Sequence, residues 1–170
     1  MKPCRIREDL ARAKAKSLVR KYNISTPPVP VEEIARQEGV IISSHKTSDL
    51  KCAVALKDRK RGRYVVSVYL SGDEGRDRWS LAHELGHIKL GHFEIYDVDT
   101  LAKDKLNDAE RYILDKEADI FAEELLMPAE WLREIMGIVS DFTQIEEIKK
   151  LFGVSLGALV NRLEELEISA

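Results

Sequence analysis

Arg78-Trp79-Ser80-Leu81-Ala82-His83-Glu84-Leu85-Gly86-His87 is the stretch on which the reading of this chain turns. Its last five residues are H-E-x-x-H. On an α-helix, residues i and i+4 share a face, so the rings of His83 and His87, about 40° apart on the wheel, can reach one point. Zinc takes four tetrahedral ligands, and a catalytic zinc keeps one position for water. Two imidazoles and a carboxylate from a second helix would supply the protein's share. Glu84 stands beside them, placed to take a proton from water. This is peptidase chemistry, and no other pattern in the chain is as specific.

Working outward, Trp79 and Leu90 fall beside the histidines, while Leu81, Leu85 and Ile88 form an apolar stripe. The helix, expected from about Asp77 to Gly91, is therefore largely buried, and its ring nitrogens need partners. Gly86 disfavours a helix by about 1 kcal/mol against Ala. Its smallness serves either a close approach at the metal face or plain helix–helix packing.

A third ligand has to come from elsewhere. A second long helix is expected from Asn107 or Asp108, both good N-caps, to Met127. Glu117 lies on it with Ile113, Leu114 and Phe121 at helical spacing. An ionised carboxylate at the edge of an apolar stripe is costly unless paired or coordinated. Glu110 and Glu124 lie seven residues to either side on nearly the same stripe, and the residues alone leave all three open. Asp119 is about 160–200° from Glu117 on the wheel and reads as a structural hydrogen-bond partner. His92 is out of register for the third ligand of H-E-x-x-H-x-x-G-x-x-H. Capping of the helix C-terminus is its expected role, with a hydrogen bond in the site as the alternative.

The rest of the chain frames these helices. Helices are expected at 8–22, 31–38, 129–136, 141–151 and 155–166, and strands at Val40–Ile42, Cys52–Leu56 and Tyr64–Leu70. Strands and helices are partly segregated, which predicts α+β rather than a doubly wound sheet. The 170 residues suit a single domain, with a catalytic core at about 25–130 and a C-terminal helical subregion at about 138–170. With 44% hydrophobic and 34% charged residues and a net charge of −3, the chain offers no electrostatic argument for nucleic acid or membrane. No apolar run approaches the roughly 18 residues that span a bilayer. Met1-Lys2-Pro3-Cys4-Arg5 lacks the apolar core of a signal peptide, so a cytoplasmic protein is expected, with Cys4 and Cys52 as free thiols.

Three segments together resemble the ImmA/IrrE family of metallopeptidases. They are Pro27-Pro28-Val29-Pro30-Val31-Glu32-Glu33-Ile34-Ala35, the H-E-x-x-H segment with Leu90-Gly91-His92, and Glu117-Ala118-Asp119-Ile120-Phe121-Ala122-Glu123-Glu124-Leu125-Leu126-Met127-Pro128. The resemblance covers roughly residues 10–130. It implies one zinc ion held by His83, His87 and Glu117, with Glu84 as general base. It also implies a zincin-like α+β fold: a small mixed sheet of about three strands packed on two metal-bearing helices, with extra N- and C-terminal helices. The family's best understood members cleave helix-turn-helix transcriptional repressors and so relieve repression, which makes such a repressor the expected partner.

Candidates for stabilising the oxyanion are His92, Tyr96 and Arg78, and Tyr64–Leu70 is the expected sheet edge for an extended substrate. Lys57–Arg63 holds five basic residues in seven and reads as a solvated turn. Lys149–Leu163 has a helix-turn-helix look, but its second helix would end in Glu164-Glu165, which argues against direct DNA binding. The competing function is a metal-binding module that holds a repressor or DNA without cutting it.

Overall fold

The computed structural model describes residues 2–46, 53–101, 105–138 and 144–168. In order, the elements are α1 (Glu8–Lys21), α2 (Val31–Gln37), β1 (Val40–His45), β2 (Ala53–Asp58), β3 (Arg63–Tyr69), α3 (Glu74–Lys89), α4 (His92–Tyr96), α5 (Asp108–Leu126), α6 (Ala129–Ile138), α7 (Ile145–Phe152) and α8 (Leu156–Glu165). The expected α+β architecture is present, with a small mixed sheet and helices before and after it. Cys52 lies outside the described residues; Cys4 is a free, exposed thiol.

The sheet order is β1-β3-β2. β1 runs parallel to β3 with Val40 opposite Tyr64, and β2 runs antiparallel with Ala55 opposite Val66. Tyr64–Tyr69 is thus the central strand. The expectation that it forms the edge is corrected, because both of its sides are already hydrogen-bonded and β2 holds the edge beside α3. Alternation along the strands sends Val40, Ala53, Ala55, Val66 and Val68 into the core and leaves Ile41, Val54 and Leu56 exposed.

α3 starts one turn earlier than expected, because Asp73 caps it by accepting a hydrogen bond from the Arg76 N–H at 3.2 Å. α5 opens with a capping box between Asn107 and Glu110, which gives Glu110 a structural role. The two helices pack closely. A Cβ on Gly86 would lie 3.0 Å from Phe121 Cδ1 and 3.1 Å from Ala118 Cα, so this glycine serves helix–helix packing.

The C-terminal pair is anchored at two places. A Cβ on Gly75 of α3 would stand 2.5 Å from the Val154 carbonyl carbon, so backbone meets backbone there. Arg162 of α8 is fully buried and ion-pairs with Glu124 of α5, which also has Arg12 at 3.5 Å. Glu124 is thereby occupied. The basic turn is paired within the molecule too: Arg59 bonds Asp97 and Asp99, Arg61 and Arg63 reach Asp58, and Lys57 reaches Glu94.

Candidate metal centre

α3 and α5 lie against one another so that one face of each looks into a shared cleft. From α3 come His83 and His87, whose Nε2 atoms are 3.0 Å apart. From α5 comes Asp115, with Oδ1 3.6 Å from His87 Nε2. Ligating atoms of His83, His87 and Asp115 all fall within 4.8 Å of one another. His87 is buried, while the Asp115 side chain is half exposed, so the group opens to solvent on one side.

Glu117 is not in that group. Expected beside the imidazoles, it instead points to the opposite side of α5, fully buried. Its Oε1 accepts from the Arg7 backbone N–H at 2.8 Å and Nε at 2.9 Å, and its Oε2 accepts from Arg7 Nη2 at 2.6 Å. The reason is helical geometry. Asp115 and Asp119 are one turn apart and share a face, and a residue two positions along from Asp115 is turned about 200° away. Burial opposes ionisation of Glu117, but Arg7 and His92 outweigh it and hold the carboxyl at about 2. The carboxylate is therefore paired by an arginine from the N-terminal segment rather than held at the cluster.

The ring nitrogens facing away from the cluster are also committed. His83 Nδ1 donates to Asp119 Oδ1 at 2.9 Å, and His87 Nδ1 meets His92 Nδ1 at 2.8 Å. Asp119 thus makes the structural hydrogen bond expected of it. His92, expected as a helix cap, is fully buried behind His87. Gly91 makes this possible. At φ 71° it turns the chain sharply after α3, and His92 swings back into the site as the first residue of α4.

With both Nδ1 atoms engaged, the two Nε2 atoms are aimed at one another. Two bare lone pairs at that distance repel unless a proton or a cation lies between them. Burial opposes a proton on His83, yet Asp119 and the Glu84 charge outweigh it and raise its pKa above the ordinary 6.5. Burial, helped by His83 and His92, holds His87 well below that value, so it stays neutral. A divalent ion can take the place of the shared proton, and two imidazoles with a carboxylate are a donor set that suits zinc.

Glu84 Oε2 accepts the Ala55 N–H of edge strand β2 at 2.9 Å. Burial pushes its carboxyl up to about 7, with His83 and the Ala55 N–H acting in the other direction. It lines a cavity of about 300 Å³ with His83, Asp119, Trp79, Ser80 and Ala53. Trp79, Ser80 and Asp119 also line an adjoining polar trough of about 420 Å³, whose far wall is Ser155, Ala158 and Asn161 of the C-terminal pair. None of the three oxyanion candidates lines the small cavity. His92 is behind His87, Arg78 donates to the carbonyls of Gly153 and Val29, and Tyr96 carries Lys2 over its ring.

The peptidase family described as the IrrE N-terminal-like domain matches residues 41–164, nearly three quarters of the chain. The chain belongs to that family. The ImmA/IrrE relationship read from the motifs is thereby established. The metallopeptidase ImmA of Bacillus subtilis (strain 168) is 26% identical over 127 residues, covering 66% of this chain and 69% of that protein. A transcriptional regulator from Mycobacterium tuberculosis superposes with a TM-score of 0.59 at 20% identity, over 94% of this chain and 48% of that one. This likeness supports the α+β fold; the chain spans about half the length of that solved structure. Among the described residues no helix is long and apolar enough to cross a membrane.

Sequence reasoning did not single out Asp115, which the structure places in the candidate cluster. Its signal was present as Asp115-x-x-x-Asp119, two carboxylates at the same i, i+4 spacing as the two histidines they meet.

Proposed function

We propose that this chain is a zinc endopeptidase of the ImmA/IrrE family, with His83, His87 and Asp115 holding one ion and Glu84 as general base. Asp115 replaces Glu117 as third ligand in this reading. The observation that carries it is the convergence of two Nε2 atoms and one carboxylate, with His83 and Glu84 together lining a cavity open to solvent. When bound, zinc supplies Lewis-acid chemistry, polarising a carbonyl and acidifying water.

The residues of the chain do the rest. Glu84 holds Oε2 on the Ala55 N–H, leaving Oε1 to take the proton of the attacking water. A carboxyl poised near 7 can then return that proton to the leaving amine. Asp119 fixes the His83 ring and His92 the His87 ring, so the Nε2 atoms need no reorientation to bind the ion. Edge strand β2 has its outward Ala55 and Lys57 N–H groups bonded to Glu84 and to the Asp99 carbonyl, so an extended substrate backbone meets it at Ala53, which lines the cavity. Trp79 and the polar trough next to it receive flanking side chains.

The substrate we propose is a helix-turn-helix transcriptional repressor, cut in the cytoplasm to relieve repression. Support comes from the family and from the relative named as a metallopeptidase. We assign the C-terminal pair to the same folded unit as the core, because Arg162 and Gly75 tie it to α5 and α3. The test is incubation of zinc-loaded protein with candidate repressors, read by intact mass. New fragments that vanish with a chelator and in Glu84→Gln, which retains zinc, support the enzyme. A stable complex without fragments across the panel supports a non-cutting module instead.

A further inference from the structure

We infer that Arg7, Glu117 and His92 form a chain of positioning residues behind the metal centre, and that this chain decides which nitrogen of His87 is left bare for the ion. The inference rests on the metal reading above and concerns how the ligand is held rather than which residue ligates.

The argument follows the protons. Arg7 directs three N–H groups at the Glu117 carboxylate: its backbone N and Nε to Oε1, at 2.8 and 2.9 Å, and Nη2 to Oε2, at 2.6 Å. An arginine has donors only, so Glu117 is an acceptor throughout. Its Oε2 also lies 2.9 Å from His92 Nε2, and that nitrogen must carry a hydrogen. A buried imidazole with one proton then has a bare Nδ1. The His92 Nδ1 is 2.8 Å from the His87 Nδ1, so His87 is the donor of that pair. The His87 proton is thereby fixed on Nδ1, and Nε2, the atom facing His83, is bare.

Four separate pieces of the fold contribute: the segment before α1, then α5, α4 and α3. Glu117 and His92 are both fully buried, so no water competes for these bonds. Reversing one link reverses the rest. In Glu117→Gln, the amide oxygen goes to the Arg7 donors and the amide NH2 turns toward His92 Nε2. His92 must then be protonated on Nδ1 and donates to His87 Nδ1. The His87 proton is driven to Nε2, where it blocks the ion. Arg7→Ala removes the two side-chain donors, leaving only the backbone N–H on Oε1, and frees the carboxylate to shift.

Two measurements test this. The first is long-range 1H–15N NMR of the histidine rings in wild-type protein stripped by chelator, above the imidazole titration range. The expected result is His87 protonated on Nδ1 and His92 on Nε2, exchanged in Glu117→Gln; wild-type His87 protonated on Nε2 overturns the inference. The second is zinc affinity by chelator competition. Glu117→Gln and Arg7→Ala are expected to bind zinc about 10–100-fold more weakly, the loss typical when a ligand's outer partner is removed, with Arg7→Lys in between. A purely structural role would lower thermal stability and leave the tautomers and the affinity unchanged. Variants within twofold of a zinc-binding wild type overturn the inference and spare the metal reading. A wild type that takes up no zinc overturns the metal reading and this inference with it. If a variant does not fold, the wild-type tautomers decide alone.

Discussion

Asp119 Oδ1 lies 2.9 Å from His83 Nδ1, one helical turn beyond Asp115 on the same face of α5. In the proposed metal centre one helix therefore presents both a carboxylate for the ion and a carboxylate for the ligand behind it. Removing Asp119 frees the His83 ring to rotate and to change tautomer. Asp119→Ala is expected to weaken zinc binding by about 10–100-fold while leaving one ion per chain at saturation. Chelator competition followed by elemental analysis checks both numbers.

Gly86 faces Ala118 and Phe121 across the α3–α5 contact. A methyl there meets Phe121 Cδ1 at 3.0 Å and backbone atoms of Ala118 at 3.1 and 3.2 Å, so the helices must separate by a few tenths of an ångström. The gain in helix propensity of about 1 kcal/mol does not offset overpacking of about 1–3 kcal/mol against a rigid backbone. Gly86→Ala is expected to lower the Tm by several degrees and to widen the metal cluster, read as weaker zinc binding by the folded variant.

Zinc binding should depend on pH through His83. Its folded pKa is raised above 6.5, first against burial and then by Asp119 and Glu84. The proton it gains sits on Nε2, where the ion binds. Zinc affinity is therefore expected to be full above that raised value and to fall as pH drops through it, about tenfold per pH unit for one displaced proton. Isothermal titration in two buffers of different ionisation enthalpy would show protons released on binding.

Acid stability should depend on Glu117. Its carboxyl is lowered from 4.5 to about 2 in the fold, against burial, by Arg7 and His92. A depressed carboxylate stabilises the fold fully above its unfolded pKa and loses that contribution as pH falls through the folded one. The window is between pH 4.5 and about 2. A term of order 2 kcal/mol is expected, since Arg7 remains partly solvated. Denaturant unfolding at several pH values checks it: Glu117→Gln should show a flatter loss of stability across that window than the wild type.

Much of the architecture was legible because periodicity and caps are local. Asn107 and Pro128 bracket α5, and alternation marked the strands. The histidine pair was legible for the same reason, since i and i+4 need no tertiary information. The proposed third ligand, Asp115, was not. Glu117 sits on an apolar stripe, and the buried carboxylate was assigned to a metal because its real counter-ion, Arg7, is 110 positions away in the chain. Asp115 was overlooked because it is half exposed, where carboxylates are ordinarily just solvated. The central place of β3 and the return of His92 into the site were hidden likewise. One depends on strand pairing, and the other on the left-handed turn at Gly91.

The central claim is that His83, His87 and Asp115 hold one zinc ion together. Anomalous diffraction at the zinc edge, from crystals grown with equimolar zinc, tests it directly. The account predicts a single peak about 2.0–2.2 Å from His83 Nε2, His87 Nε2 and an Asp115 carboxylate oxygen, with a remaining position open to the cavity. A peak bound by Glu117 with Asp115 free, or no peak between the two imidazoles, would contradict it.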